Sequence, residues 1–250
     1  MGLGSITKQT SNFDQFKVID GVMGFTQGGK EDVFAQLVAA GKCDNVWAIC
    51  MHEGSVSNGT LTVGGVDPRL SDKVEYVKDV GQGFHSVQVE SITVGASAAA
   101  ASPSVAVGKD VPVGNAAILD TGTNILLVPK SLLAPLQAAM CADTSLASCN
   151  DLWADTCLPL SDAQLAAYPP MSLNLDNGVK LAMTAKDYLL LGSPLAGAAG
   201  NYCLGIKDGG DAGGGFIIGD TTMRNYYLVF DLAERKIGWG LVNTATCGSL

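Results

Sequence analysis

The sequence lacks long apolar runs and contains few charged residues. Its longest apolar stretches are interrupted by glycine, proline or charge, so none approaches the length of about 20 residues that a membrane-spanning helix needs. Only 16% of the residues are charged whereas 47% are hydrophobic, which argues against disorder. The formal net charge of −9 disfavours nucleic acid and anionic membrane surfaces as partners. At 250 residues the chain can bury a large core, either as one long β domain or as two lobes.

Cysteine pairs of the zinc-binding type are also absent. The cysteines are Cys43, Cys50, Cys141, Cys149, Cys157, Cys203 and Cys247. None forms a Cys-x-x-Cys pair, and the two histidines, His52 and His85, lie far apart, so no metal site is predicted. Seven cysteines favour disulfide bonds in an oxidising compartment, with one cysteine left over. The first residues, however, contain no positively charged region followed by an apolar run, so no signal peptide is predicted there.

Short strand-like segments dominate the hydrophobic pattern. Examples bounded by turn-forming residues are Val46–Cys50, Thr60–Val63, Val87–Val94, Ala116–Leu119, Ile217–Ile218 and Tyr226–Phe230. Two short helices are predicted, one at 31–42 that ends at Gly41, the other at 130–140, where Pro135 is tolerable only near the first turn. The alanine-rich stretch 95–114 is interpreted as a loop between two strands. The predicted class is therefore all-β with minor helix.

One segment has the pattern of a catalytic carboxylate. Asp120-Thr121-Gly122-Thr123 follows an apolar strand, and the chain then becomes apolar again. The strand would fix the carboxylate at its end, and Gly122 would permit a turn that a side chain would block. The hydroxyls of Thr121 and Thr123 could orient the carboxylate by hydrogen bonds. A bare Asp-Thr-Gly is usually a turn, but the flanking apolar runs and Thr123 make this copy much more specific.

A second segment follows about a hundred residues later. Gly215–Asp220 reads Gly-Phe-Ile-Ile-Gly-Asp, and it is followed by Arg-Asn-Tyr-Tyr, Val-Phe-Asp and Lys-Ile-Gly up to Trp239. Together with Asp120, this order resembles the carboxy-terminal lobe of the pepsin-like aspartic proteases. The resemblance implies that Ile217, Ile218 and Gly219 cross behind the Asp-Thr-Gly loop and complete a ψ-shaped catalytic motif. Asp220 is predicted to cap the short helix that follows rather than to act in catalysis.

The resemblance extends toward the amino terminus but begins in the middle of the first lobe. Val22, Met23 and Gly24 are similar to the segment that closes the corresponding motif there, and deletion of its front half should expose apolar surface around Val22, Met23 and Phe25. Asp120 begins the only Asp-Thr-Gly or Asp-Ser-Gly in the sequence. The expected fold is thus bilobal and pepsin-like with a truncated first lobe. Residues 1–82 would be a remnant of that lobe with the inter-lobe sheet, and residues 83–250 the catalytic carboxy-terminal lobe.

The family resemblance implies an aspartic endopeptidase that acts on polypeptide substrates without metal or organic cofactor. Two carboxylates would share one proton and activate a water molecule. Asp120 would be one of them, with Gly122 and Thr123 meeting the substrate backbone. The family implies the secretory pathway, extracellular or vacuolar and lysosomal. The chain alone is expected to be inactive and a form extended upstream of Met1 active at acid pH. A non-catalytic peptide-binding relative and a dimer-dependent protease with one aspartate per chain remain alternatives, and the oligomeric state is left open.

The resemblance also implies a disulfide pattern. In the secretase-like branch of the family, a cysteine after the strand that corresponds to Val46–Cys50 is bonded to one near the carboxy terminus, which predicts Cys50–Cys247. The second lobe would contain Cys157–Cys203 and Cys141–Cys149. Cys43 is the cysteine left over. The two histidines are interpreted as surface or packed residues, because no nucleophile motif accompanies them.

Overall fold

The computed structural model describes residues 23–27, 29, 32–51, 59–95, 108–146, 148–192, 200–210 and 215–249. The strands in these ranges are β1 Val46–Met51, β2 Gly59–Val63, β3 Glu75–Lys78, β4 Ser86–Val94, β5 Lys109–Leu119, β6 Leu126–Val128, β7 Met171–Leu175, β8 Lys180–Met183, β9 Leu189–Leu191, β10 Tyr202–Leu204, β11 Ile206–Asp208, β12 Ile217–Ile218, β13 Tyr226–Asp231 and β14 Lys236–Leu241. The helices are α1 Val33–Ala39, α2 Lys130–Met140, α3 Cys149–Trp153, α4 Asp162–Ala167, α5 Ala185–Tyr188 and α6 Asp220–Met223. The predicted all-β class with minor helix is confirmed, and no helix in the described ranges is long and apolar enough to cross a membrane.

The larger sheet has seven strands in the order β11-β6-β12-β5-β4-β7-β8. Its centre is formed by the long antiparallel pair β4 and β5, whereas β12 is only two residues long and lies parallel to β5. Apolar side chains of β4 such as Val87, Val89 and Ile92 are fully buried. Because α2 packs near β4 and β5, this sheet and the helix enclose the main hydrophobic core.

The second sheet has five strands in the order β2-β1-β13-β14-β3. It combines strands from before residue 82 with two strands from the last part of the chain. Side chains alternate between its faces: Trp47 and Phe230 join the main core, whereas Ala48 and Val229 belong to a smaller cluster on the other face. The division of the chain at residues 82 and 83 stays a prediction, and the pairing adds that both parts supply this sheet.

Two elements differ from the predictions. Pro135 lies in the second turn of α2, beyond the first turn to which the prediction confined it. Proline at this position removes one N–H donor from the helix. The helix continues because packing of Leu132 and Leu136 into the core offsets that loss. Strand β5 begins at Lys109 and therefore includes residues 109–114, which were predicted as loop. A bulge, in which Gly114 has a φ of +69°, accommodates the glycine within the strand.

Three disulfides are present, and they match the predicted pairs. Cys50 is bonded to Cys247, Cys141 to Cys149, and Cys157 to Cys203, while Cys43 is free. The Cys50–Cys247 bond joins residues that are 197 positions apart and lies within the smaller buried cluster of the five-stranded sheet. The Cys141–Cys149 bond spans only 8 positions.

The two separations predict different contributions to stability. In the chain-entropy model, the longer loop stabilises the fold by about 2–3 kcal/mol more than the shorter one. We expect the Cys50→Ala/Cys247→Ala variant to lose correspondingly more free energy of unfolding than Cys141→Ala/Cys149→Ala. Urea denaturation under non-reducing conditions measures both losses. Equal losses would show that loop length does not govern these bonds.

Candidate active site

Asp120 lies at the carboxyl end of β5, directly beside the short strand β12. The Asp120 N–H donates to the carbonyl of Ile218 at 3.1 Å, and the Ile118 N–H donates to Phe216 at 3.0 Å. Strand β12 is inserted between β5 and β6, the two strands that flank the Asp120 loop. The structure thus brings Asp120 together with Ile217, Ile218 and Gly219, the arrangement that the sequence predicted.

The Asp120 carboxylate is held through both of its oxygens. The Gly122 N–H donates to Oδ1 at 2.9 Å, and the Thr123 hydroxyl donates to Oδ2 at 2.6 Å. A Cβ at residue 122 would lie 3.1 Å from Oδ1, so a larger residue would crowd the carboxylate. Thr121, in contrast, is exposed, and the donors to the carboxylate are Gly122 and Thr123 alone among the described residues. This geometry fixes the carboxylate plane while leaving the group half-buried.

Gly219 is the tightest point of the site. A Cβ at this position would lie 2.1 Å from the Thr123 carbonyl oxygen and 2.4 Å from that of Ile125. The next residue, Asp220, donates its N–H to the same Thr123 carbonyl at 2.8 Å. Only glycine lets the two chain segments approach this closely, so residue 219 determines how the Asp120 loop is supported.

This close approach predicts a large effect of a small substitution. Gly219→Ala places a methyl group inside the contact distance of two backbone carbonyls, and we expect a loss of about 3 kcal/mol or more in unfolding free energy. Gly65→Ala is the control, because a Cβ there meets nothing within 4 Å. Urea unfolding followed by circular dichroism measures both variants. Similar stability of the two variants would contradict the close approach of Gly219 to the Asp120 loop.

The segment predicted to close the first-lobe motif is only partly described. Val22 lies outside the described residues, as does His52. Met23 is 60% exposed, and a Cβ at Gly24 would meet nothing within 4 Å, in contrast to Gly219. Phe25 packs against Trp47 with ring centroids 4.9 Å apart. The exposed apolar surface expected here is therefore seen at Met23 but not at Phe25.

Asp220 is a residue whose role the sequence misjudged. The N-cap of α6 is Gly219, and Asp220 is the first helical residue without a capping hydrogen bond, so the predicted N-cap is wrong. Asp220 is not the N-cap because the extended backbone ends at Gly219, where it contacts the Asp120 loop, and helix α6 begins with the next residue. Among the described residues, the buried Oδ1 of Asp220 has no hydrogen-bond partner. Burial raises the pKa of Asp220 to about 6; Arg224 opposes this rise and the Asp120 carboxylate adds to it.

The raised pKa of Asp220 gives the stability a pH dependence. A carboxyl group whose pKa is higher in the folded state stabilises the fold below its unfolded value near 3.8, and this contribution is lost as the pH rises through about 6. We expect Asp220→Asn to reduce the fall in unfolding free energy between pH 4 and pH 7. The exposed Asp72→Asn is the control and should retain the wild-type profile. Identical profiles for wild type and Asp220→Asn would refute this origin.

The site geometry agrees with a match to a protein family. The family model described as eukaryotic aspartyl protease matches residues 1–242. The chain belongs to this family. Among the described residues, no group of three His, Cys, Asp or Glu side chains is arranged to hold a metal ion.

Members of the aspartyl protease family from plants and animals are similar to this chain. It is 28% identical to aspartic proteinase 39 of Arabidopsis thaliana over 88% of this chain and 44% of that protein. It is 24% identical to pepsin A of Sus scrofa over 92% of this chain and 56% of that protein. Cathepsin E-B of Xenopus laevis is 26% identical over 88% of this chain and 52% of its own length. The chain spans about half the length of the curated relatives it matches.

Proposed function

We propose that this polypeptide provides the carboxy-terminal catalytic half of an aspartic endopeptidase. The observation that carries the proposal is the Asp120 carboxylate at a strand end, with one oxygen bound by the Gly122 N–H and the other by the Thr123 hydroxyl. Membership of the aspartyl protease family supports it. Residues 83–250 would form the catalytic lobe, and residues 1–82 would contribute to the inter-lobe sheet.

The proposed reaction requires a second carboxylate beside Asp120. Two carboxylates held close together share one proton, because like charges at short range cannot both ionise readily. The ionised group takes a proton from a bound water while the protonated group donates a hydrogen bond to the scissile carbonyl, so the water oxygen attacks the carbonyl carbon. The protonated carboxyl gives its proton to the carbonyl oxygen, so that a neutral gem-diol forms. The other carboxyl then returns the proton taken from water to the leaving nitrogen as the C–N bond breaks. Gly122 and Thr123 would also contact the substrate backbone.

We propose that the second carboxylate comes from polypeptide outside these 250 residues. Asp120 begins the only Asp-Thr-Gly or Asp-Ser-Gly of the sequence, which supports this proposal. The substrates would be polypeptides, as for the endopeptidases of the family. The three disulfides support a location in the secretory pathway, extracellular or in a vacuole or lysosome. A pair of chains that each contribute one Asp120 is the competing arrangement.

The decisive experiment compares the 250-residue chain with a form extended upstream of Met1 on an unfolded protein substrate. We expect cleavage at acid pH by the extended form alone, and a decrease in kcat of about a thousandfold or more in its Asp120→Asn variant. Asp72→Asn, at an exposed position, should retain activity.

Other outcomes identify the alternatives. Cleavage by the 250-residue chain that rises with the square of its concentration would favour the dimer. Tight peptide binding without cleavage by either form would favour a non-catalytic relative. Activity that survives Asp120→Asn would overturn the proposed role of this carboxylate.

A further inference from the structure

The loop between β3 and β4 contains a buried acid–histidine pair that the proposed mechanism does not use. Asp79 and His85 are 4% and 5% exposed, and the histidine Nδ1 lies 2.7 Å from Asp79 Oδ2. This loop connects the five-stranded sheet, which contains β3, to the seven-stranded sheet, which contains β4. The pair therefore lies at the junction of the two sheets.

The Asp79 carboxylate organises the whole loop. Its Oδ1 accepts the Gly81 N–H at 3.0 Å and the Ser86 N–H at 3.1 Å, and the Gln27 side chain also donates to the group. Burial raises the pKa of Asp79, but the hydrogen bonds from His85 and these donors outweigh burial and hold it below its usual value. The carboxylate is thus ionised, so the proton between the two side chains belongs to the histidine Nδ1.

The surroundings of the His85 ring are aromatic. Its centroid lies 4.7 Å from that of Phe230 and 5.8 Å from that of Trp47, and these two rings stack at 3.9 Å. The nearby guanidinium of Arg235 donates to the Gly81 carbonyl of the same loop. Buried polar pairs stabilise folds little compared with apolar residues of equal volume, whereas in some proteins they specify geometry. A geometric role is therefore the one to test for this pair.

The geometry set by the pair extends directly to Asp120. At one end of the loop the Asp79 N–H donates to the Arg235 carbonyl at 2.9 Å, in the turn between β13 and β14 of the five-stranded sheet. At the other end the His85 carbonyl accepts the N–H of Leu119 at 2.9 Å. Leu119 is the last residue of β5 and the immediate neighbour of Asp120. One hydrogen bond therefore separates the buried pair from the backbone of the candidate catalytic residue.

We propose that Asp79 and His85 act as a positioning pair, which locks the inter-sheet loop so that the His85 carbonyl holds the end of β5 and hence Asp120. That Asp120 is the reactive group rests on the proposed function, whereas the coupling of the pair to Leu119 does not. Because both side chains are buried, they would act without touching the substrate. Their effect on catalysis passes through the backbone of Leu119.

Amide hydrogen exchange of the 250-residue chain tests the coupling without any peptidase assay. Asp79→Asn retains the shape of the side chain, and His85→Phe retains ring packing on Phe230. We expect either variant to accelerate exchange of the Leu119 amide by about fivefold to tenfold, as for one weakened hydrogen bond. The reference is the Leu175 amide, which is bonded to Val179 at 2.8 Å in β7 and should change less than twofold. The exchange rate of the Leu119 amide in the double variant should not exceed that in either single variant.

A pH series separates positioning from general damage to packing. A carboxyl group with a lowered pKa stabilises the fold above its unfolded value near 3.8, and the contribution disappears as the pH falls through its folded value. The ratio of Leu119 exchange in Asp79→Asn to that in wild type should therefore approach one at acid pH. In wild type itself, Leu119 should lose protection relative to Leu175 over the same range, which keeps the test valid if a variant fails to fold. Equal acceleration of both amides at every pH would overturn the proposal.

The link to catalysis is tested in a form that cleaves peptides. There, Asp79→Asn and His85→Phe should lower kcat by about tenfold and leave KM unchanged, because only the alignment of Asp120 is disturbed. Altered Leu119 exchange with unchanged kcat would disprove positioning. Loss of the proposed peptidase function would leave the exchange results untouched, so the two failures are distinguishable.

Discussion

The close contact between Gly219 and the Asp120 loop is the constraint on which the site depends. Because residue 219 has no side chain, the Thr123 carbonyl can accept the Asp220 N–H while β12 pairs with β5 on one side and β6 on the other. The loop is thereby held by backbone atoms. The Asp120 carboxylate accepts hydrogen bonds only from its two donors, Gly122 and Thr123, among the described residues. The same contact starts α6 at Asp220 and buries that carboxyl beside Asp120.

The parts of the structure that the sequence predicted are those with a short-range signature. The apolar run before Asp120, the run Ile217-Ile218-Gly219 and the turn at Gly41 each combine a periodic pattern with a glycine or a carboxylate at its end. The sequence pattern gave the wrong prediction where the assignment of a helix cap depends on a shift of one residue. Asp220 differs from an N-cap by one position, and that position was set by a tertiary contact with Thr123 that no local pattern reveals.

Other features could not be predicted because their partners are distant or unusual. The bulge at Gly114 allows β5 to continue through residues that look like a loop, since the pairing partner β4 supplies the order. Pro135 itself is exposed on α2, whose opposite face is buried through Leu132, Leu136 and Met140. The sequence did predict that His85 is a packed or surface histidine, and it is packed. Its pairing with Asp79 depends on how the loop closes, which neither residue type indicates alone.

The order of the five-stranded sheet affects how the chain is made. Val46 of β1 pairs with Asp231 of β13. The ribosome must therefore add roughly 185 further residues, which takes about 10–40 s, before β1 can pair with β13. Until then the apolar face around Trp47 has no Phe230 to cover it. The Cys50–Cys247 bond likewise cannot form until Cys247 has emerged. The order of synthesis therefore favours late oxidation of Cys50, because an early bond to Cys43 would have to be exchanged before the native disulfide could form.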